Sequence, residues 1–142
     1  VQPLLLPHQV DWMEALFERP LKSPDFFDFE PVLIDGDLAP YHILYASDEN
    51  RLSAVIDFGT AGLGDPATDL GTLISSYGET LVSKIERTYP DFQNLLSRGR
   101  FYAQANELQW VLLGVESGED YWFTAHLGGA RDIGLNETIG NT

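Results

Sequence analysis

The sequence predicts an α+β fold, mostly helical, with a small antiparallel hairpin. Two observations carry that prediction. Between residues 32 and 56 three short apolar runs, Val32–Ile34, Ile43–Tyr45 and Leu52–Ile56, are each stopped by turn-forming residues, the pattern of short strands. On both sides the apolar residues recur instead at helical spacing, punctuated by Pro and Gly.

In chain order, Gln2 to Arg19 reads as a helix entered through Pro7, with Val10, Met13, Leu16 and Phe17 on one face. His8 has no partner at metal-ligand spacing and reads as a surface or capping histidine. Pro20 to Pro31 is a breaker-rich connector with an acidic and aromatic centre, Asp25-Phe26-Phe27-Asp28-Phe29. The first strand ends at Asp35-Gly36-Asp37. The second and third are joined by the polar tip Ala46 to Asn50, and the third is stopped by Asp57-Phe58-Gly59. Because a hairpin brings its two ends together, Asp37, His42 and Asp57 can converge on one point. Gly59, Gly62 and Gly64 match no phosphate-loop spacing; they are expected to let the backbone turn after Asp57. Asp65 followed by Pro66 reads as a helix start, and this helix runs to about Tyr77. A second helix covers roughly Glu79 to Tyr89, a third Asp91 to about Ser97, and the longest Arg98 to Glu116. In the longest, Phe101, Ala105, Leu108, Leu112 and Val115 form the expected core stripe, with Glu107 and Trp110 off it. After a break at Ser117-Gly118, Glu119 to Leu127 reads as helical and Gly128 to Thr142 as a polar end.

The 142 residues are 44% hydrophobic and 12% aromatic, enough for one globular domain with its own core. Eight basic residues against 22 acidic ones give a net charge of −14. Nucleic acid and anionic membranes are therefore poor partners, since binding phosphate needs clustered Lys and Arg. The imbalance is concentrated between Ser23 and Ser83, where Arg51 is the single basic residue. Such a face attracts cations, whether Mg²⁺ or a cationic small molecule; it also solubilises. The absence of cysteine excludes disulfides and thiolate metal sites and fits a cytoplasmic protein. No apolar run approaches the ~20 residues of a membrane span.

Three motifs in order, Asp-Gly-Asp-Leu-x-Pro-x-His-Ile-Leu from Asp35, Ile-Asp-Phe-Gly from Ile56 and Gly-Asp-Pro-Ala-x-Asp-Leu from Gly64, resemble the catalytic core of small-molecule kinases. The family is that of the aminoglycoside phosphotransferases and choline kinase-like enzymes, built like the protein kinases. The histidine at position 42 resembles the variant of the aminoglycoside 2″- and macrolide 2′-phosphotransferases. The resemblance implies the mostly helical C-terminal lobe of a kinase-like fold. It also implies transfer of a γ-phosphate from ATP or GTP to a hydroxyl of a small, cationic molecule, with a part in antibiotic resistance. Asp37 would accept or orient the hydroxyl proton, and His42 and Asp57 would hold Mg²⁺ or Mn²⁺. Asp69 and Gly59 would support the catalytic loop; on the plain reading Asp69 only complements a helix dipole and Asp37 and Asp57 punctuate turns. For the acceptor, Glu107 and Glu116 are the candidate carboxylates and Trp110, Tyr102 and Trp122 the candidate aromatic surface.

One residue departs from that pattern. Where the family usually opens His-Gly-Asp, this chain has Asp35, which adds like-charge repulsion beside Asp37 and Asp57. Either the site tolerates it or the chain is a non-catalytic pseudokinase or small-molecule binding module. Neither a glycine-rich strand-turn-strand nor a strand lysine occurs, Lys22 and Lys84 both lying elsewhere. In the resembling family both features belong to an N-terminal nucleotide lobe. Residues 1–142 are thus expected to be the C-terminal, acceptor-binding lobe as one domain, inactive without that lobe.

Overall fold

A computed structural model of the protein describes residues 2–89 and 91–119. Its regular elements are α1 (Pro7–Lys22), β1 (Val32–Ile34), β2 (Ile43–Ala46), β3 (Arg51–Val55), β4 (Gly62–Gly64), α2 (Ala67–Tyr77), α3 (Glu79–Val82) and α4 (Phe92–Ser117). The fold is α+β: mostly helical, with two small antiparallel sheets. By its contacts the chain divides into two compact units, Val1–Asp28 with Arg100–Thr142, and Phe29–Gly99.

The unit Phe29–Gly99 holds all four strands. β2 and β3 pair as the expected hairpin, Ile43 opposite Val55 and Ala46 opposite Arg51, with an irregularity between Leu44 and Tyr45. The extra residue is Ser53, which the register leaves without a partner. β1 pairs with β4, a strand the sequence reading missed: Val32 lies opposite Gly64 and Ile34 opposite Gly62. The miss has a physical cause, because Gly-Leu-Gly carries little strand propensity of its own. Gly64 leaves room for Ile34: a Cβ there would lie 2.6 Å from Ile34 Cδ1, which would have to turn aside.

Beneath the strands α2 and the first turns of α4 form a core of Ala67, Leu70, Ile74, Leu95 and Leu96. Gly99 lets the two helices approach, since a Cβ on it would meet Leu70 Cδ2 at 3.1 Å. One buried ion pair joins the same elements. Arg98 Nε donates to Asp65 Oδ2 at 2.7 Å and Arg98 Nη2 to Asp65 Oδ1 at 3.1 Å, a two-pronged contact. Asn94 takes Nη1 at 3.1 Å, and the guanidinium lies over the Phe29 ring. Asp65 also caps α2 by accepting the Ala67 N–H at 2.9 Å, so the helix start read from Asp65-Pro66 stands one residue later.

Three helix boundaries differ from the sequence reading. α1 continues through Pro20 to Lys22, because a proline in the last turn removes only one late hydrogen bond. Glu79 to Tyr89 is a short α-helix followed by a 3₁₀ stretch, Ser83–Arg87. The break placed between Ser97 and Arg98 is absent: α4 runs unbroken for 26 residues, no proline interrupting it and Arg98 anchored by its ion pair. It ends where Ser117-Gly118 indicates. Gly118 has φ +74°, and the Glu119 N–H returns to the Gly114 carbonyl, a Schellman closure.

The other unit contains α1 and α4 from Arg100. Phe101 collects the edges of Phe17, Phe26 and Phe27, each with ring centroids 5.6 Å away. Trp12 Nε1 donates to Gln104 Oε1 at 3.0 Å. Lys22 pairs with Glu18 on the exposed side of α1, lowering that carboxyl below its ordinary range. The expected core stripe of α4 is displaced by one residue. Ala103, Gln104, Glu107, Leu108 and Val111 are buried, whereas Leu112 and Val115 are exposed. Apolar residues surround so much of this helix that periodicity alone does not pick its inner face. Val10, Met13 and Leu16 of α1 are half-buried, Phe17 is at the edge of exposure and His8 is exposed. The readings for Trp122, for the helix beyond Glu119 and for the end from Gly128 lie outside the described residues. Among the described residues no helix is long and apolar enough to cross a membrane.

The Asp65–Arg98 pair is the contact whose loss the Phe29–Gly99 unit should feel most. Asp65→Ala leaves a guanidinium buried without its carboxylate and should lower stability by about 3–5 kcal/mol. Urea unfolding measures it; a loss under ~1 kcal/mol would show that the pair does not hold α2 to α4.

Candidate active site

The residues from Asp35 to Asp37 form a tight loop between β1 and the 3₁₀ turn Pro40–His42. Its backbone donors are all met by carboxylates. Asp69, in the first turn of α2, accepts the Asp35 N–H on Oδ2 at 2.9 Å and the Gly36 N–H on Oδ1 at 2.8 Å. Asp35 Oδ1 accepts the Asp37 N–H at 3.1 Å. Gly36 has φ +84°, and a Cβ on it would lie 2.9 Å from the Thr60 carbonyl oxygen, so only glycine fits. Thr60 Oγ1 closes the loop from the other side by donating to the Asp35 carbonyl at 3.0 Å.

His42 stands at the foot of the hairpin, almost wholly buried. Its carbonyl accepts the Ile56 N–H at 3.0 Å, extending the β2–β3 ladder by one step. That step brings Asp57 beside it. The ring's Nδ1 lies 2.8 Å from the Asp37 carbonyl oxygen; a carbonyl only accepts, so Nδ1 carries the hydrogen. In the neutral ring the lone pair is then on Nε2, which lies 3.5 Å from Asp57 Oδ2. Asp37 Oδ2 lies 3.8 Å from Nδ1. The structure thus brings Asp37, His42 and Asp57 together, both carboxylates open to solvent on a buried imidazole. The Asp57 side chain is 65% exposed and that of Asp37 43%.

Asp57 also makes the turn out of β3. Its φ and ψ are both 63°, a left-handed conformation that Asp tolerates better than most residues. The turn assigned from sequence to Gly59, Gly62 and Gly64 is therefore made at Asp57. None of the three has a positive φ. Gly59 is exposed, and a Cβ on it would make only ordinary contact with Asp57 Oδ1, so no geometric need for glycine exists there.

Of the two donors the Asp57 carboxylate suits a hard divalent cation, whereas an imidazole is a less usual ligand for Mg²⁺ and fits Mn²⁺ at least as well. An imidazole nitrogen and a carboxylate oxygen 3.5 Å apart can be neighbouring ligands of one ion, and the Nδ1 hydrogen bond aims Nε2 outward. Among the described residues no group of three or more His, Cys, Asp or Glu could hold a metal by itself. Mg²⁺ is commonly held by one or two protein groups, with phosphates and water completing its shell.

Glu107, Trp110, Tyr102 and Glu116 belong to α4 in the other unit. Glu107 is buried and Glu116 exposed. Nine residues apart, they are turned about 180° from each other around the helix, so they do not form one wall. Two residues escaped the sequence reading. Thr60 gave no signal at all. Asp35 was read as a departure from the family's His that adds like-charge repulsion, and its part as a backbone acceptor was missed, although Asp two residues before a loop N–H is the spacing of an Asx-turn.

Known proteins resemble this chain in sequence and in fold. The model of a phosphotransferase enzyme family (APH) matches residues 1–105. Viomycin phosphotransferase of Streptomyces vinaceus is 32% identical over 88 residues, 60% of this chain and 31% of that protein. Among solved structures, the GDP complex of aminoglycoside 2′-phosphotransferase-IIIa superposes with a TM-score of 0.84 at 26% identity, over 96% of this chain and 47% of that one. The GDP and kanamycin complex of APH(2″)-IIIa superposes with a TM-score of 0.82 at 26% identity, over the same shares. The chain spans less than half the length of each of these relatives. With 105 of its 142 residues matched in sequence and the kinase-like fold matched in structure, the chain belongs to the phosphotransferase enzyme family of the aminoglycoside phosphotransferases.

Proposed function

We propose that residues 1–142 are the C-terminal, acceptor-binding lobe of a kinase that moves the γ-phosphate of ATP or GTP onto a hydroxyl of a small cationic molecule. The observation that carries this reading is the convergence of Asp37, His42 and Asp57 on a loop whose amides are held by Asp69 and Asp35. The GDP complexes among the solved relatives support a nucleotide donor. Relatives named for viomycin and aminoglycosides support an antibiotic as acceptor and a role in resistance. A net charge of −14 favours a cationic one.

In this reading Asp37 takes or orients the proton of the acceptor hydroxyl. Its carboxylate is exposed enough to meet a substrate, and its backbone is held on both sides. His42 and Asp57 would hold Mg²⁺ or Mn²⁺, which when bound with the nucleotide neutralises charge on the transferring group. Asp69 keeps the loop in place from α2. The nucleotide itself would be held by an N-terminal lobe; that this chain covers less than half of its relatives' length supports a further lobe in them. A non-catalytic pseudokinase or binding module is the second reading. One observation favours it: Asp35, in the position usually held by His, has a buried Oδ2 with no hydrogen-bond partner among the described residues.

Two protein ligands without phosphates should bind Mn²⁺ weakly. Titration followed by NMR should broaden the His42 ring signals at millimolar metal, and Asp57→Asn should weaken the response. A response elsewhere with His42 unaffected would remove the metal assignment. The purified 142-residue chain should show no phosphotransfer, because positioning of the donor phosphates carries most of this catalysis; turnover by it would overthrow the two-lobe reading. In a protein carrying both halves, Asp37→Asn should lower kcat by about 10²–10⁴-fold with little change in nucleotide KM. Unchanged kcat would leave the binding-module reading standing.

A further inference from the structure

We infer that Asp35 is a positioning residue for Asp37 and that it acts through the placement of one oxygen, not through its charge. The inference rests on Asp37 as the acceptor-facing carboxylate. The Asp37 carbonyl is already fixed, accepting the Ala39 N–H at 2.7 Å and facing His42 Nδ1 at 2.8 Å. Its N–H is fixed, among the described residues, by Asp35 Oδ1 alone, at 3.1 Å. With both peptide planes held, the direction in which the Asp37 side chain leaves the loop is set. The neighbouring amides of Asp35 and Gly36 depend on Asp69 instead, so removing the Asp35 contact should free one peptide plane and leave the other two in place.

The second oxygen of Asp35 says which property matters. Oδ2 is buried and has no hydrogen-bond partner among the described residues, a costly arrangement for half of a carboxylate. Asp69 accepts from the same loop, and Asp37 lies two residues on, so a negative charge at Asp35 gains nothing from its neighbours. An amide in its place would keep the Oδ1 acceptor and discard the charge. A glutamate would keep the charge and carry the acceptor one methylene beyond the Asp37 N–H.

The test compares Asp35→Asn and Asp35→Glu with the wild-type chain by ¹⁵N NMR. The readouts are amide hydrogen exchange at Asp37 against Gly36, and the ring ¹⁵N shifts of His42, which report the Nδ1–H tautomer. The amides of α2 report whether the unit is folded. D35N should match wild type within about twofold at every readout. D35E should exchange the Asp37 amide at least tenfold faster, keep Gly36 within twofold and shift the His42 tautomer signature. If D35E unfolds the unit, Asp35→Ala takes its place under the same criterion. The inference is overturned if D35E or its substitute keeps the Asp37 amide protected, or if D35N loses that protection or its fold. Absence of a Mn²⁺ response at His42 in the wild-type chain would count against the metal reading and leave this inference untouched.

Discussion

The site depends on one constraint: three successive backbone N–H groups, of Asp35, Gly36 and Asp37, must be satisfied in a loop that the Asp37 carboxylate also has to leave freely. Secondary structure does not meet this need, because the loop lies between β1 and a 3₁₀ turn. Side-chain carboxylates meet it, two amides by Asp69 and one by Asp35. Hydrogen bonds to an ionised acceptor are roughly twice as strong as neutral ones, so the pair accepted by Asp69 anchors the loop without a sheet around it. The same constraint makes Gly36 indispensable, since the loop's path brings its Cα against the Thr60 carbonyl.

Holding the loop in this way ties it to the helices below. Asp69 is held in place by the start of α2, and that start is fixed by Asp65, which both caps the helix and receives Arg98 from α4. Arg98 and Asp65 are almost fully buried. Each would be an uncompensated charge without the other, which makes their mutual geometry strict. A sequence of contacts therefore leads from the core of the Phe29–Gly99 unit to the backbone of Asp37, each link either a charge-assisted hydrogen bond or a helix turn.

Much of this was legible in the sequence, and unevenly so. The hairpin, its tip and the approach of Asp37, His42 and Asp57 follow from short apolar runs of fixed spacing, because strand pairing converts spacing directly into proximity. The helix start at Asp65-Pro66 and the end at Gly118 were equally readable, since caps are local chemistry. What failed was non-local. β4 exists because Val32–Ile34 offers Gly62–Gly64 an edge, which no property of Gly-Leu-Gly announces. α4 passes through Ser97-Arg98-Gly99 because Asp65, 33 residues earlier, receives Arg98 and Leu70 fits against Gly99. Its inner face includes Gln104, which answers Trp12, so a stripe drawn from apolar residues alone misplaces it.

The acidic composition acquires a more specific meaning once the four carboxylates around the loop are separated by what they touch. Asp35 and Asp69 are spent on backbone amides, one on Asp35 and two on Asp69. Asp37 and Asp57 accept no backbone hydrogen bond among the described residues and stay open to solvent on either side of His42. The loop thus sorts chemically identical side chains into two that build and two that are available. Availability has a cost, because two carboxylates flanking one imidazole repel each other across it. On the proposed reading that repulsion is what a divalent cation and a cationic acceptor relieve, one at Asp57 and one at Asp37. The loop would then be most favourable with both ligands present, which is the state in which transfer takes place.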